Sequence, residues 1–274
     1  MKKSALFFAF CTFFLIVSCG SDDDTNSSQS QSGNYFPATP ANYWKYDVTV
    51  PNGNGSNQLM IDSLYVASRS GNSFTLGVNT TNIGFGFMNN MLTTGTLTEQ
   101  GTALTIDSSF SIPINGITAG INFENLVLFD SNATNNQLLY TTSDTFTQNF
   151  QGVPITVNYT VSSVKTDELN SLTVAGNSYS NINVVDIDVE ASISTSIDVF
   201  GIPTTISILD AQDIIHMKTY YAANVGIIKS DSQFSYQLNP TTVALLANFN
   251  IDLGIPSSDT SENIQELNSY MVED

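Results

Sequence analysis

Cysteine is almost absent from this chain of 274 residues, which contains only Cys11 and Cys19. Cys11 lies within an apolar run from Ala5 to Val17 that follows the basic start Met1-Lys2-Lys3. The run has 13 residues, fewer than the ~20 that a helix needs to cross a bilayer, and it is typical of a cleavable secretion signal. Loss of this segment leaves one cysteine, so the mature domain must be stabilised by a hydrophobic core without disulfides.

Histidine is equally scarce, because His216 is the only one in the sequence. With one histidine and one mature cysteine, the chain lacks the ligands of a zinc site. A Ser-His-Asp hydrolase would have to use His216, and no Gly-x-Ser-x-Gly motif is present to supply its nucleophile. Alternation places His216 with Lys218 and Tyr220 on the polar face of a strand, so we expect a surface role and no catalytic residue.

Basic residues number seven against 25 acidic ones, and Lys2 and Lys3 leave with the signal. The mature chain therefore carries a net charge of about −20. Such a charge argues against nucleic acid as a partner and against a polybasic patch for anionic lipid. It favours solubility, and it leaves divalent cations as a possible ligand class.

Cys19 ends the sequence Leu15-Ile16-Val17-Ser18-Cys19, which resembles the lipobox of bacterial lipoproteins. The resemblance implies that residues 1–18 are a signal peptide and that Cys19 carries lipid on its sulfur and nitrogen. Two lipid signals give stable anchoring, so the membrane is the expected partner. Gly20-Ser21-Asp22-Asp23-Asp24 resembles the acidic stretch that sends flavobacterial lipoproteins to the outer face of the outer membrane. Cell-surface exposure is the expected localisation, and a plain spacer is the alternative for this stretch.

The chain behind the lipidated cysteine divides into a tether and a domain. Residues 20–34 are Ser, Asp, Asn, Gln and Gly without apolar periodicity, so 19–34 are predicted to be the lipidated Cys and a disordered tether. Aromatic residues begin at Tyr35-Phe36, and residues 35–274 are predicted to form a single domain.

Alternation of apolar and polar residues dominates the domain, and this two-residue period is typical of half-buried strands. The clearest run extends from Val185 to Val199. It exceeds the usual strand length and indicates either a very long strand or one bent by a bulge. Turn sequences with Gly, Asn and Pro separate such runs and predict about ten or more strands joined by hairpins. We therefore predict an all-β domain with a single antiparallel, strongly curved sheet, a half-barrel or barrel, and little helix.

Helix signals are confined to two segments near the end of the chain. Residues Thr241 to Ala247 follow Pro240 and are predicted to form a short turn or helix. The tail from Glu262 to Met271 has apolar residues at helical spacing, with an edge strand as the alternative. The Gly-rich segment Gly84-Phe85-Gly86-Phe87-Met88 is predicted to be a bulged or bent strand.

Three carboxylates, Asp186, Asp188 and Glu190, occupy the polar face of the long alternating run. Neighbours on one face are roughly 6.6 Å apart along a strand. Two of them could share a Ca²⁺ ion with loop carbonyls, or act as an acid/base pair on a glycosidic bond. No Asp-x-Asp-x-Asp-Gly loop is present, and a solvated acidic face is the alternative. No other cofactor is expected.

Two further residues are candidates for a specific role. Trp44 could stack on a sugar or an acyl chain, or it could fill the core beneath the first strand. Asp62-Ser63-Leu64 resembles the Asp-Ser/Thr-apolar sequon for bacterial O-glycosylation, which would make Ser63 the acceptor.

Two segments resemble surface lipoproteins of the Bacteroidota of flavobacterial type. Tyr35-Phe36-Pro37 followed by Asn42-Tyr43-Trp44-Lys45-Tyr46 is similar to their opening, and Tyr221 to Lys229 is similar to their late hairpin, with Asn224 in place of a Gly. Asn tolerates positive φ, so we expect the turn to be kept. The resemblance implies a curved antiparallel sheet with an apolar concave side. The expected function is a non-catalytic binding module for an apolar or glycan ligand, with a structural or adhesive coat protein as the alternative and a carboxylate-based hydrolase as a remote one.

Overall fold

The computed structural model describes residues 34–51, 56–78, 84–114, 117, 120–150, 152–199, 201–248 and 254–273. The predicted signal peptide, Cys19 and nearly all of the predicted tether lie outside the described residues.

The described residues are 73% strand and 7% helix. In chain order the elements are β1 (Tyr43–Pro51), β2 (Asn57–Ser70), β3 (Ser73–Val78), α1 (Phe87–Thr94), β4 (Thr96–Gln100), β5 (Ala103–Ser111), β6 (Gly120–Asp130), β7 (Gln137–Phe150), β8 (Val153–Val174), β9 (Asn177–Val199), β10 (Ile202–Ala222), β11 (Gly226–Gln237), α2 (Pro240–Asn248) and β12 (Ser258–Met271). None of the helices in these ranges is long and apolar enough to cross a membrane.

All the strands belong to one sheet, and every described strand pair is antiparallel. The spatial order is β6-β5-β4-β3-β2-β1-β12-β11-β10-β9-β8-β7, and the sheet is nearly closed into a barrel. Strands that are consecutive in the sequence are neighbours throughout this order, except that β6 and β7 lie at its two edges and β1 pairs with β12. The predicted single, antiparallel and strongly curved sheet is confirmed.

The three longest strands form one side of the barrel, with 22 residues in β8, 23 in β9 and 21 in β10. The run that begins at Val185 lies within β9, and its apolar residues up to Ile193 are buried. The ladder between β9 and β10 also shifts register at three places between Ser207 and Ile215. The interpretation as a very long strand is therefore confirmed, and the extra residues at the register shifts lie on β10 and not in this run.

The two edge strands, β6 and β7, close the barrel without a ladder between them. Tyr159 on β8 accepts a hydrogen bond from the Asn122 N–H of β6 at 3.2 Å and donates to the Asn122 carbonyl at 3.1 Å. The Ser163 hydroxyl, also on β8, donates to the Val127 carbonyl at 2.7 Å. Both residues are on the buried face of β8, so β6 lies against that face and β7 lies outside it. We call these contacts between β6 and β8 the seam.

The two segments that carry the lipoprotein resemblance pack against each other at one end of the barrel. Trp44 is fully buried, and its Nε1 donates to the Val225 carbonyl at 2.6 Å. A Cβ on Gly226 would lie 3.1 Å from that same nitrogen, and Gly226 has a φ of 108°. Asn224 has a φ of 60°, and its N–H donates to the Asn34 carbonyl at 2.7 Å. The turn therefore has the positive φ expected of Asn224, and it fits closely beneath the indole.

Two of the three helix-related predictions need correction. The short helix after Pro240 is confirmed as α2. The strand alternative for the tail is confirmed as β12, but the strand lies in the interior of the sheet and not at an edge. The segment from Gly84 to Met88 is not a strand, because α1 begins at Phe87.

Candidate functional site

Helix α1 lies against the inner face of the barrel and forms one wall of the candidate site. Its eight residues include Met88, Asn89, Met91 and Leu92, all of which are buried. Their spacing of three and four residues places them on one face of the helix. The opposite face of α1 faces the space between the helix and strands β5 and β6.

A buried carboxylate holds the start of α1 in place. Asp62 on β2 has no exposed surface. Its Oδ1 accepts the Phe85 N–H at 2.9 Å, and its Oδ2 accepts the Gly86 N–H at 2.8 Å and the Asn89 Nδ2 at 3.0 Å. The N–H of the N-cap residue Gly86 is a donor that a helix start leaves without an intrahelical partner. Negative charge at a helix N-terminus is also favoured by the helix dipole.

Two amide side chains from β12 complete the support of this helix start. The Gln265 Oε1 accepts the Met88 N–H at 2.9 Å, and the Asn263 Oδ1 accepts the Phe87 N–H at 3.1 Å. The N-cap residue is Gly86, which has no side chain to cap the helix itself. A Cβ at Gly86 would lie 2.1 Å from Gln265, so only glycine permits this close approach. The end of α1 is therefore fixed by strands that are distant in sequence.

An open cleft of about 440 Å³ lies between α1 and strands β5 and β6. Phe87 and Phe110 form its aromatic part, with ring centroids 5.9 Å apart, and Phe123 continues the row 5.6 Å from Phe110. Asn90 and Asn122 supply amides to the lining, beside hydroxyl-bearing side chains. None of the described residues that line the cleft is charged. We call this space the α1 cleft.

A second polar cluster lies on the outer face of β9 and β10, where the sequence analysis placed His216. The His216 Nδ1 is 2.6 Å from the Asp188 Oδ1, and its Nε2 is 4.0 Å from the Asp186 Oδ2. The Lys218 Nζ is 3.7 Å from the same Asp186 oxygen. The register of the ladder explains the cluster, because Asp188 is opposite His216 and Asp186 is opposite Lys218. The surface role expected for His216 agrees with this position.

Burial raises the pKa of the Asp186 carboxyl above its ordinary value, while Lys218, His216 and the Thr166 hydroxyl oppose that rise. The folded chain therefore binds this proton more tightly than the unfolded chain does. The carboxyl adds stability below its unfolded pKa and loses that contribution as the pH rises through the folded pKa.

A test of this linkage compares the wild type with Asp186→Asn. As the pH falls from neutral into the acid range, we expect the free energy of unfolding of the wild type to rise relative to that of the variant. Urea unfolding at a series of pH values measures that difference. A difference that is flat, or that shifts in favour of the variant, would contradict the linkage.

The carboxylates predicted as a Ca²⁺ site point to the outer face, as expected, but two of them already have side-chain partners. Asp188 contacts His216, and Asp186 lies between His216 and Lys218. Glu190 is exposed and opposite Thr160 on β8. In the part of the chain that the structure describes, no group of three or more His, Cys, Asp or Glu side chains is arranged to hold a metal ion. The Ca²⁺ site at Asp186, Asp188 and Glu190 stays a prediction without geometric support.

The remaining candidates occupy different places in the barrel. Trp44 is in the core, which favours the core role, because stacking on a sugar or an acyl chain would need an exposed ring face. Ser63 is half-buried on β2, opposite Lys45 of β1, and its glycosylation stays a prediction. The preceding Asp62 is the buried anchor of α1. Cys19 lies outside the described residues.

The sequence analysis missed Asp62 and Gln265, although one signal for the former was present. In β2, Asp62 is in phase with Leu64 and Val66, which are buried. A carboxylate in phase with the apolar face of a strand needs buried donors, so this position could have been recognised. Gln265 offered no comparable signal.

Comparison of the chain with protein-family models, with curated proteins and with solved structures found no match.

Proposed function

We propose that this chain is a lipid-anchored protein of the outer-membrane surface that binds a neutral glycan, without catalysis, in the α1 cleft. The observation that carries the proposal is the absence of charge among the described residues that line the cleft, in a chain with 25 acidic residues. A cleft that excludes charge on so acidic a surface suits an uncharged ligand.

The composition of the lining favours a sugar over an alkyl chain. The carbon face of a sugar ring can pack on Phe87 and Phe110, as apolar ligands do on aromatic side chains. Its hydroxyls can hydrogen-bond to amide groups such as those of Asn90 and Asn122. An alkyl chain would leave these polar groups without partners, which carries a desolvation cost. The volume of about 440 Å³ lies within the range of small-ligand sites.

The proposed anchor fits this function. A lipid on Cys19 followed by a flexible tether would hold the barrel away from the membrane surface. The barrel could then reach glycans outside the cell while it remains attached. The net charge of about −20 keeps such a domain soluble.

The binding proposal predicts different results for two neighbouring phenylalanines. Phe87→Ala should weaken binding by about tenfold or more, which corresponds to about 1.4 kcal/mol, because it removes an aromatic wall of the cleft. Phe85→Ala is the matched control, because Phe85 is 41% exposed and does not line the cleft. The unlipidated mature chain with Cys19→Ser is screened on an array of neutral glycans, and calorimetry with a retained glycan gives the affinities.

The melting temperature of both variants must be measured, so that loss of folding is not mistaken for loss of binding. If no neutral glycan is retained at millimolar concentration, the proposed function is wrong. If the two alanine variants weaken binding equally, the glycan binds elsewhere than in the α1 cleft.

A further inference from the structure

The two edges of the sheet differ in how their backbone groups are satisfied. The edge of β6 is covered at the seam, where Tyr159 and Ser163 bond to the backbone of Asn122 and Val127. Strand β7 pairs with β8 over nearly its whole length. Within the described ranges, no strand pairs with the other side of β7. The barrel therefore has one covered edge and one edge without a strand partner.

The two faces of strand β7 differ in exposure. Thr141, Ser143, Thr145 and Thr147 share one face and are all exposed. On the other face Asp144 is exposed and its neighbours Thr142 and Phe146 are half-buried. The 14 residues of β7 span about 45 Å, and an edge of this length offers a row of backbone donors and acceptors for another strand.

The sequence of β7 lacks most of the features that protect natural edge strands. It contains no Pro, Lys or Arg, and Asp144 is its only charged residue. The Asp144 Oδ1 accepts the N–H of Thr145 at 2.7 Å. Because the Thr145 N–H bonds to the side chain of Asp144, it is not used in the ladder with β8. The backbone N–H and C=O groups of Thr145 therefore point toward the free edge of β7. Because the direction alternates along an antiparallel strand, Thr141 shares that side and Thr142 does not.

We propose that β7 pairs antiparallel with the β7 of a second copy and joins two barrels into a symmetric dimer. An antiparallel pair of identical strands is self-complementary about a two-fold axis, so no other sequence is required. The charge distribution favours β7 as the contact surface. Two chains that each carry a net charge of about −20 repel one another, and β7 is nearly neutral. Its run of Thr and Ser supplies cross-strand pairs that are favourable in sheets.

The contact area makes this a reversible dimer. The interface is a strip about 45 Å long and about 5 Å wide, the spacing of two strands, which falls short of the roughly 1,200 Å² of a stable interface. Confinement of both copies to one membrane raises their effective concentration and offsets the small area. Salt screens the repulsion between the barrels, so the dimer strengthens as the ionic strength rises.

The test is sedimentation velocity on the unlipidated mature chain with Cys19→Ser, at concentrations up to about 500 μM and in about 0.05 M to about 0.5 M sodium chloride. We expect the sedimentation coefficient to rise with concentration and to rise further with salt. Asp144→Asn removes the one charge from the edge and should tighten the dimer severalfold. A chain that stays monomeric at the highest concentration and salt overturns the proposal.

Two proline variants locate the interface. Thr141→Pro acts on the free side of β7, and it should weaken the dimer about tenfold or more while the melting temperature changes little. Thr142→Pro is the matched control, because it acts on the side that pairs with β8 and should lower the melting temperature. If Thr141→Pro folds normally and associates as the wild type does, the dimer does not use β7 and the proposal is wrong. The results for these two proline variants are independent of whether the α1 cleft binds a glycan.

Discussion

Replacement of Asp62 by alanine is expected to lower the free energy of unfolding by about 3–5 kcal/mol, because two buried donors and one part-buried donor lose their acceptor together. Two of these donors are the backbone N–H groups of Phe85 and Gly86, and the third is the Asn89 amide. The start of α1 would then be held by Gln265 and Asn263 alone among these side chains. Urea unfolding followed by the fluorescence of Trp44, the only tryptophan, measures the change.

Two comparisons isolate the cause of this loss. Asp47→Ala removes a half-buried carboxylate from the adjacent strand, where it accepts one hydrogen bond, from Asn268 at 2.8 Å. That variant should lose less than about 1 kcal/mol. Asp62→Asn keeps one carbonyl oxygen as an acceptor and should fall between the two. Equal losses at Asp47 and Asp62 would show that the contacts with α1 contribute nothing to stability.

The proposed lipid anchor predicts that replacement of Cys19 by serine removes the protein from the outer-membrane fraction almost completely. Serine has no thiol to accept a thioether-linked lipid, and the tether contains no other residue that could carry one. Labelling with a fatty acid, followed by membrane fractionation, reports both the lipid and the location. Such an attachment would contribute about 0.8 kcal/mol per buried methylene, so its loss would exceed any effect of single contacts at the barrel surface.

Cys11→Ala serves as the control for the anchor, because it also removes a cysteine but keeps the apolar character of the signal. This variant should be labelled and fractionated like the wild type. A Cys19→Ser protein that still takes up the fatty-acid label would show that the lipoprotein interpretation is wrong.

The β architecture could be predicted from the sequence because a half-buried strand repeats every two residues whatever strand lies beside it. Val185, Ile187 and Val189 show the repeat, and all three are buried. The pairing of β12 with β1 could not be predicted in the same way. It depends on pairings such as Thr49 with Ile264, which no local pattern records.

The sequence left the tail open between helix and strand because a polar residue lies inside the barrel. Ile264 and Leu267 are three residues apart, which fits a helix, but in β12 they lie on opposite faces. The buried position between them belongs to Gln265, which supports α1. A functional amide in the core therefore removed the alternation that would have revealed the strand.

Helix α1, and with it the candidate site, could not be predicted for a related reason. The helix has eight residues and no capping side chain of its own. Its support comes from Asp62, 24 residues away from Gly86, and from Gln265, 177 residues away from Met88. The α1 cleft exists only once these contacts have formed, so no local sequence signal marks it.

The position of β12 sets an order of events as the chain is synthesised. Strands β6 to β1 can pair among themselves, and so can β11 to β7, but among the described strands the ladders that join the two halves are those of β12 with β1 and with β11. Residues 258–271 are synthesised after all eleven other described strands. Until then each half exposes an unpaired edge, at β1 and at β11, for which chaperones and proteases would compete. The last strand therefore sets the moment at which the sheet can close.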